Sequence, residues 1–151
     1  MTADDLTKKL KTVSQEIRKE CADVIAETAT EYFKDSFKRK AFNGRSWKRT
    51  VKRTGSTLIE SSNLMNSIRP TEVSENKVVI AAGNEKVGYA RVHNEGGIQY
   101  VKPHHRTVRG KRQQVRGYSY KATKRQFMGE SDDLNKLIIE KIERNLNQIL
   151  K

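Results

Sequence analysis

The side chains with the widest chemical repertoire are three histidines, His93, His104 and His105, with Glu95 two positions after the first. Imidazole and carboxylate groups this close in sequence would suit a divalent metal, and a bound metal could activate water for hydrolysis. The spacing argues against that chemistry. His-x-Glu and His-His pairs recur by chance, and nothing here has the pattern of a zincin helix, a zinc ribbon or a deaminase. His104 and His105 read as extensions of a basic surface, and His93 as a hydrogen-bonding group that holds the glycine turn after it. No glycine-rich loop carries a lysine for phosphate, no carboxylates pair in a catalytic context, and no Ser/His/Asp set is placed as a triad. The expectation is a non-enzyme with no catalytic residue, no metal and no cofactor. A small hydrolase gathered from His93, Glu95, His104 and His105 is the third-ranked reading.

Charge carries a stronger signal. The formal net charge is +13, and residues 96–129 hold nine basic and no acidic side chains. The side chains expected to touch a partner or DNA are Lys102, Arg106, Arg109, Lys111, Arg112 and Arg116. Such a run attracts a polyanion or an acidic protein surface, and its affinity for nucleic acid should fall steeply with salt. There is no reading helix, zinc finger or aromatic RNA-binding pattern, so sequence-specific recognition is not expected. The plain alternative is a solvated loop kept soluble by its charge.

These residues need elements to position them. Leu6, Leu10, Val13, Ile17, Cys21, Val24, Thr28 and Tyr32 recur at helical spacing, and neither Gly nor Pro occurs before Gly44, so residues 4–38 predict one long amphipathic helix. Ile25, Ala29, Phe33 and Phe37 widen its apolar face. Asn43-Gly44 is a turn signal. Trp47 follows among Arg45, Lys48, Arg49, Lys52 and Arg53. The favoured reading docks its ring on the core, and stacking on a base is the alternative. Ser61 and Ser62 read as caps of a short helix over 61–67, which Pro70 ends. Residues 71–74 and 77–82 predict a hairpin turning at Glu75-Asn76, with Val78–Ala82 a buried strand. Ile98, Tyr100 and Val101 face an alternating return over Tyr118, Tyr120 and Ala122. Between them lies the tip of a long hairpin or a mobile loop, placed at about 102–117. Ser131 or Asp132 caps a last amphipathic helix through Leu134, Leu137, Ile138, Ile142, Leu146, Ile149 and Leu150.

Composition bounds the rest. At 151 residues the chain can form one domain without a disulfide or metal staple. Apolar residues make up 34% and charged residues 32%, which predicts a modest core and a large surface, as in a subunit whose arms are buried on assembly. Cys21 is the only cysteine, so no internal disulfide forms, and it reads as a packed core thiol. The N-terminus does not read as a signal peptide. The longest apolar run, Val78–Ala82, is too short to cross a bilayer, so folding in a reducing cytosol is expected.

Taken in order, the segments resemble the phage virion morphogenesis, or tail-completion, family, which takes part in head–tail joining. The resemblance rests on Phe42-Asn43-Gly44-Arg45-Ser46-Trp47 after a long helix, then Leu64-Met65-Asn66-Ser67-Ile68 and Val78-Val79-Ile80-Ala81. Tyr89-Ala90-Arg91-Val92-His93-Asn94-Glu95-Gly96-Gly97, the basic insert and Arg125-Gln126-Phe127-Met128-Gly129 complete it. It covers roughly residues 30–151. Where family members often carry Thr-Gly-x-Leu, this chain has Ser62-Asn63-Leu64.

The resemblance implies one α+β domain: a long N-terminal helix, a small mostly antiparallel sheet with a long basic hairpin or loop, and a C-terminal helix. Phe42, Trp47, Ile68, Tyr89, Gly96 and Phe127 would be its fold-defining positions. It implies a structural role in tail completion or head–tail joining, as a ring at the neck or the head-proximal tail end around the DNA channel. Its partners would be copies of itself, a hexamer being one candidate, and other neck, portal-adaptor or tail-tube proteins. Non-specific DNA contact is a further candidate; membrane contact is not expected. Assembly would take place in the bacterial host cytoplasm. The alternative is a non-specific basic nucleic-acid-binding protein without a virion role.

Overall fold

The computed structural model describes residues 2–49, 58 and 62–149. The expectations for Lys52, Arg53, Ser61 and Leu150 fall outside those residues. The architecture is α+β, with long helices at both ends and short antiparallel hairpins between them.

Helix α1 runs Ala3–Arg39. Thr2 and Asp5 form a reciprocal capping box: the Thr2 hydroxyl accepts from the Asp5 amide at 3.3 Å, and the Asp5 carboxylate accepts from the Thr2 amide at 3.0 Å. These bonds hold the Asp5 carboxyl below its usual value. Lys40 ends the helix in the left-handed conformation at φ 53°. Burial begins only at Ala22 and continues through Ala26, Ala29, Phe33 and Phe37. The predicted stripe is therefore corrected in its first half. Leu6, Leu10 and Val13 are 47%, 61% and 50% exposed, because nothing in the chain packs over them. Cys21 is half-buried rather than packed into the core.

Strands β1 (Ala41–Phe42) and β2 (Arg45–Ser46) form a tight hairpin. Asn43 and Gly44 take φ of 48° and 71° at its turn, the pair of positive angles that a two-residue hairpin needs. Helix α2 is Asn63–Asn66, shorter than predicted. Ser62 precedes it at φ 55° and makes no side-chain capping bond, so it does not act as the expected cap. Pro70 lies inside β3 (Arg69–Ser74) rather than stopping a helix. The register shifts between Pro70 and Glu72, a bulge of the kind that accommodates proline in a ladder. β3 pairs with β4 (Lys77–Ala81) through the Glu75-Asn76 turn, and the hairpin lies against α1. β4 is half-buried rather than buried, since it packs on one face only.

Helix α3 (Ala90–Glu95) occupies the segment read only as a lead-in to the glycine turn. Strands β5 (Gly97–Val101), β6 (His104–Val108), β7 (Lys111–Val115) and β8 (Tyr118–Ala122) follow. Helix α4 (Asp132–Ile149) closes the described chain. Ser131 caps it, its hydroxyl accepting from the Leu134 amide at 3.3 Å, and Asp132 and Asp133 sit in the first turn where the helix dipole favours them.

The core gathers Phe33, Phe37, Phe42, Ile68, Val87 and Phe127, with Phe37, Ile68 and Phe127 completely inaccessible. The Phe37 ring lies 5.0 Å from that of Phe127 and 5.4 Å from that of Trp47, in tilted and edge-on contacts. Trp47 thus docks on the core, the first of its two sequence readings.

Candidate partner-binding ribbon

The basic insert is a hairpin, not a loop. β5 pairs with β8 and β6 with β7, and both pairs share one register: Gly97 is opposite Ala122, Val101 opposite Tyr118, His104 opposite Val115 and Val108 opposite Lys111. One antiparallel ribbon therefore runs from residue 97 to residue 122. Its ladder is interrupted where Lys102-Pro103 faces Arg116-Gly117, since Pro103 has no amide to donate. From Gly97 to the tip the strand can reach about 40 Å. Low apolar content did not prevent order here, because backbone pairing and a two-residue turn supply it.

The turn is Arg109-Gly110, at φ of 49° and 76°. This is the geometry of the Asn43-Gly44 turn, with arginine where asparagine or glycine is favoured. A β-carbon makes that conformation costly, so the tip holds a cation at a strained position.

All six of Lys102, Arg106, Arg109, Lys111, Arg112 and Arg116 are exposed. They do not converge on one patch. Alternation along each strand places Lys102, Arg106 and Lys111 on one face, Arg112 and Arg116 on the other, and Arg109 at the turn. Among the described residues, the ion pairs all lie elsewhere: Arg39 with Asp35, Lys77 with Glu72, Arg91 with Glu95 and Lys141 with Glu31. The ribbon's cations are held in solvent with no carboxylate of their own segment to neutralise them.

The base of the ribbon is apolar and uncovered. Ile98, Tyr100, Tyr118 and Tyr120 are 75%, 55%, 50% and 39% exposed. The Tyr100 ring lies over Gly117, where a β-carbon would fall 2.4 Å from its hydroxyl. Glycine is needed there to let the ring cross the ladder interruption.

What aims the ribbon is a set of long-range hydrogen bonds onto the strandless segment after β8. The Asn94 carboxamide oxygen accepts from the Phe127 and Met128 amides at 2.9 and 3.1 Å. The Trp47 indole donates to the Gln126 carbonyl at 2.6 Å, and the Ser36 hydroxyl to the Phe127 carbonyl at 3.2 Å. The Arg125 amide donates to the His93 carbonyl at 2.8 Å, and its buried guanidinium donates to the Lys48 carbonyl at 3.1 Å. Gly96, at φ 80°, lets the chain leave α3 within 3.2 Å of the Lys124 β-carbon. Phe42 and Ile68 lie in the core beneath, and Tyr89 packs against it. Sequence reading missed Asn94, Ser36 and Arg125 as positioning groups, since each acts on a partner dozens of residues away.

His93 is also corrected. Its backbone carbonyl holds the joint, but its buried Nδ1 has no partner among the described residues, and its ring packs edge-on against Tyr89 at 5.5 Å. Burial, and then the Arg125 charge, push its pKa below the ordinary 6.5. His104 and His105 fall on opposite faces of the ribbon by the same alternation, and Glu95 pairs with Arg91 at 3.0 Å. Among the described residues, no three His, Cys, Asp or Glu side chains gather as a metal-binding group. No helix among them is long and apolar enough to cross a membrane.

The three compact patterns quoted above thus meet in space. Phe42–Trp47, Tyr89–Gly97 and Arg125–Gly129 are the parts of one joint, and the insert is the ribbon it carries. Neither a curated protein nor a solved structure matches the chain. The model of the phage virion morphogenesis family matches residues 2–147, nearly the whole length. The chain belongs to the phage virion morphogenesis family, and its role lies in assembly of the virion.

Proposed function

We propose that this chain acts in tail completion or head–tail joining, as a subunit of a homo-oligomeric ring at the neck or head-proximal tail end, with the ribbon as its contacting arm. The observation that carries the reading is the ribbon itself: about 40 Å of paired backbone, rich in cations and rigidly aimed from a buried joint. Both of its outer edges are unpaired among the described residues, so it can add strands to a neighbour's sheet. Closing a ring would cover those edges and the apolar ribbon base. The strained arginine at the tip supports the same reading, since a cation is kept where asparagine would fold more easily.

The test is complementation with Arg106, Arg109 and Arg112 all changed to Gln. All three are exposed, so circular dichroism should report an unchanged fold. Heads and tails should accumulate unjoined. Full joining by this variant, or by a chain lacking residues 104–117, overturns the role assigned to the ribbon.

The ribbon's charge also favours a second reading, direct non-specific contact with DNA, because a two-stranded ribbon fits the major groove. In that case the purified protein binds a bare duplex, and the logarithm of its affinity falls linearly with that of salt. An assembly subunit that contacts only protein leaves the duplex unbound.

A further inference from the structure

Helix α1 is twice as long as the helix that covers it. At 37 residues it spans about 55 Å, whereas the 18 residues of α4 span about 27 Å. α4 starts where the Ser131 hydroxyl meets the Tyr32 hydroxyl at 2.9 Å, and Lys141 pairs with Glu31 at 3.5 Å. Its last described turns line an open cleft with Val24, Glu27 and Thr28. The face it lies along is the one carrying Tyr32, Thr28 and Val24. Leu6, Leu10, Val13 and Ile17 continue that face at spacings of 4, 3 and 4 residues, with no buried residue before Ala22. The stripe that α4 covers thus runs on uncovered for about 27 Å.

We infer that this arm docks on the same arm of a second copy, antiparallel, in a contact separate from that of the ribbon. The charges beside the stripe choose the partner and its direction. Asp4, Lys11 and Arg18 flank it on one side; Asp5, Lys9 and Glu16 flank it on the other. In an antiparallel pair centred between Lys11 and Thr12, Leu6 faces Ile17 and Leu10 faces Val13. Each flank then meets its own kind: Asp4 comes level with Arg18, and Lys9 falls near Glu16, each pair formed twice by the two-fold axis. Lys11 is left near its own counterpart, where two long exposed side chains can splay apart. A parallel pair in register instead sets Asp4 beside Asp5 and Lys9 beside Lys11. The antiparallel pair also opposes the two helix dipoles. A self-complementary stripe of alternate charge is what an isologous contact requires, and it accounts for leucines held in water by a well-capped helix.

Sedimentation of the full chain over a concentration series, with and without Leu10→Glu and Val13→Glu together, tests the contact. Both side chains are exposed, so the fold should persist by circular dichroism. The association constant should fall roughly tenfold or more, since burying leucine and valine is lost and two carboxylates are added. Direction is read by disulfide cross-linking in a Cys21→Ser background. Leu6→Cys with Ile17→Cys should cross-link readily, whereas Leu6→Cys alone should not, its two copies lying about 16 Å apart along the axis. Ready cross-linking of Leu6→Cys alone overturns the antiparallel pair. A wild-type chain that is monomeric throughout, or a mass unchanged by the two glutamates, overturns the second copy as occupant. None of these outcomes depends on whether the ribbon is needed for joining.

Discussion

The joint and the ribbon it carries sit next to each other in sequence and are built on opposite principles. The joint, formed by Trp47, Asn94 and Arg125–Met128 over Phe37 and Phe127, has little regular structure. Its order comes from buried rings and from side chains that satisfy backbone groups far away in sequence. The ribbon has regular pairing along nearly its whole length and almost no buried side chains: apart from Val108 and Val115, every residue of β6 and β7 is exposed. One region spends its residue types on stability and the other leaves them to solvent. That contrast separates the part of the molecule that must be rigid from the part free to meet something else.

The contrast can be broken most severely at Phe127. Phe127→Ala empties the centre of the joint, and unfolding stability should fall by about 3–5 kcal/mol in a denaturant titration. A loss well under 1 kcal/mol would mean the joint does not hold the ribbon through its core. Asn94→Ala should cost less, about 1–3 kcal/mol, by leaving the Phe127 and Met128 amides without their acceptor. Amide exchange sharpens this prediction: both amides should lose protection while β6 and β7 remain as they were.

On the ribbon side, Arg109→Asn should stabilise the tip by up to about 1 kcal/mol, since asparagine tolerates the left-handed angle better than arginine. The same change should weaken joining of heads and tails, so stability and function move in opposite directions. Equal gains in both would show that the tip charge is idle.

His93 predicts a smaller, pH-dependent effect confined to the joint. Its folded pKa lies below 6.5, so the folded state binds protons less readily than the unfolded chain. Its contribution to stability is fully present above 6.5 and is lost as pH falls from there through the lowered folded value. Denaturation midpoints taken at neutral and mildly acidic pH should therefore differ, and His93→Gln should reduce the difference. An unchanged difference would assign the pH dependence to other groups.

How much of this was legible follows the range of the interactions. The ends of α1 were readable from an uninterrupted helical period, and both two-residue turns from Asn43-Gly44 and from Gly110 between basic strands. The ribbon arms followed from the alternation of Ile98 and Tyr100 against Tyr118 and Tyr120. Helix α3 was hidden because glycines crowd its six residues, leaving too short a window for a period. The bulge at Pro70 concealed the true start of β3 in the same way.

The sequence by itself determined the elements, their order, the two families of charge and the ordered patterns of a virion morphogenesis protein, since each rests on neighbours within a few residues. Only the tertiary structure decided that those patterns form one joint. The bonds from Asn94, Trp47 and Ser36 to residues 126–128 cross 33 to 91 positions and leave no local periodicity to read. It also decided which apolar stripe is covered. Leu6 and Leu10 carry the same helical signal as Val24 and Thr28, and the difference lies in where α4, packed from the far end of the chain, stops covering α1.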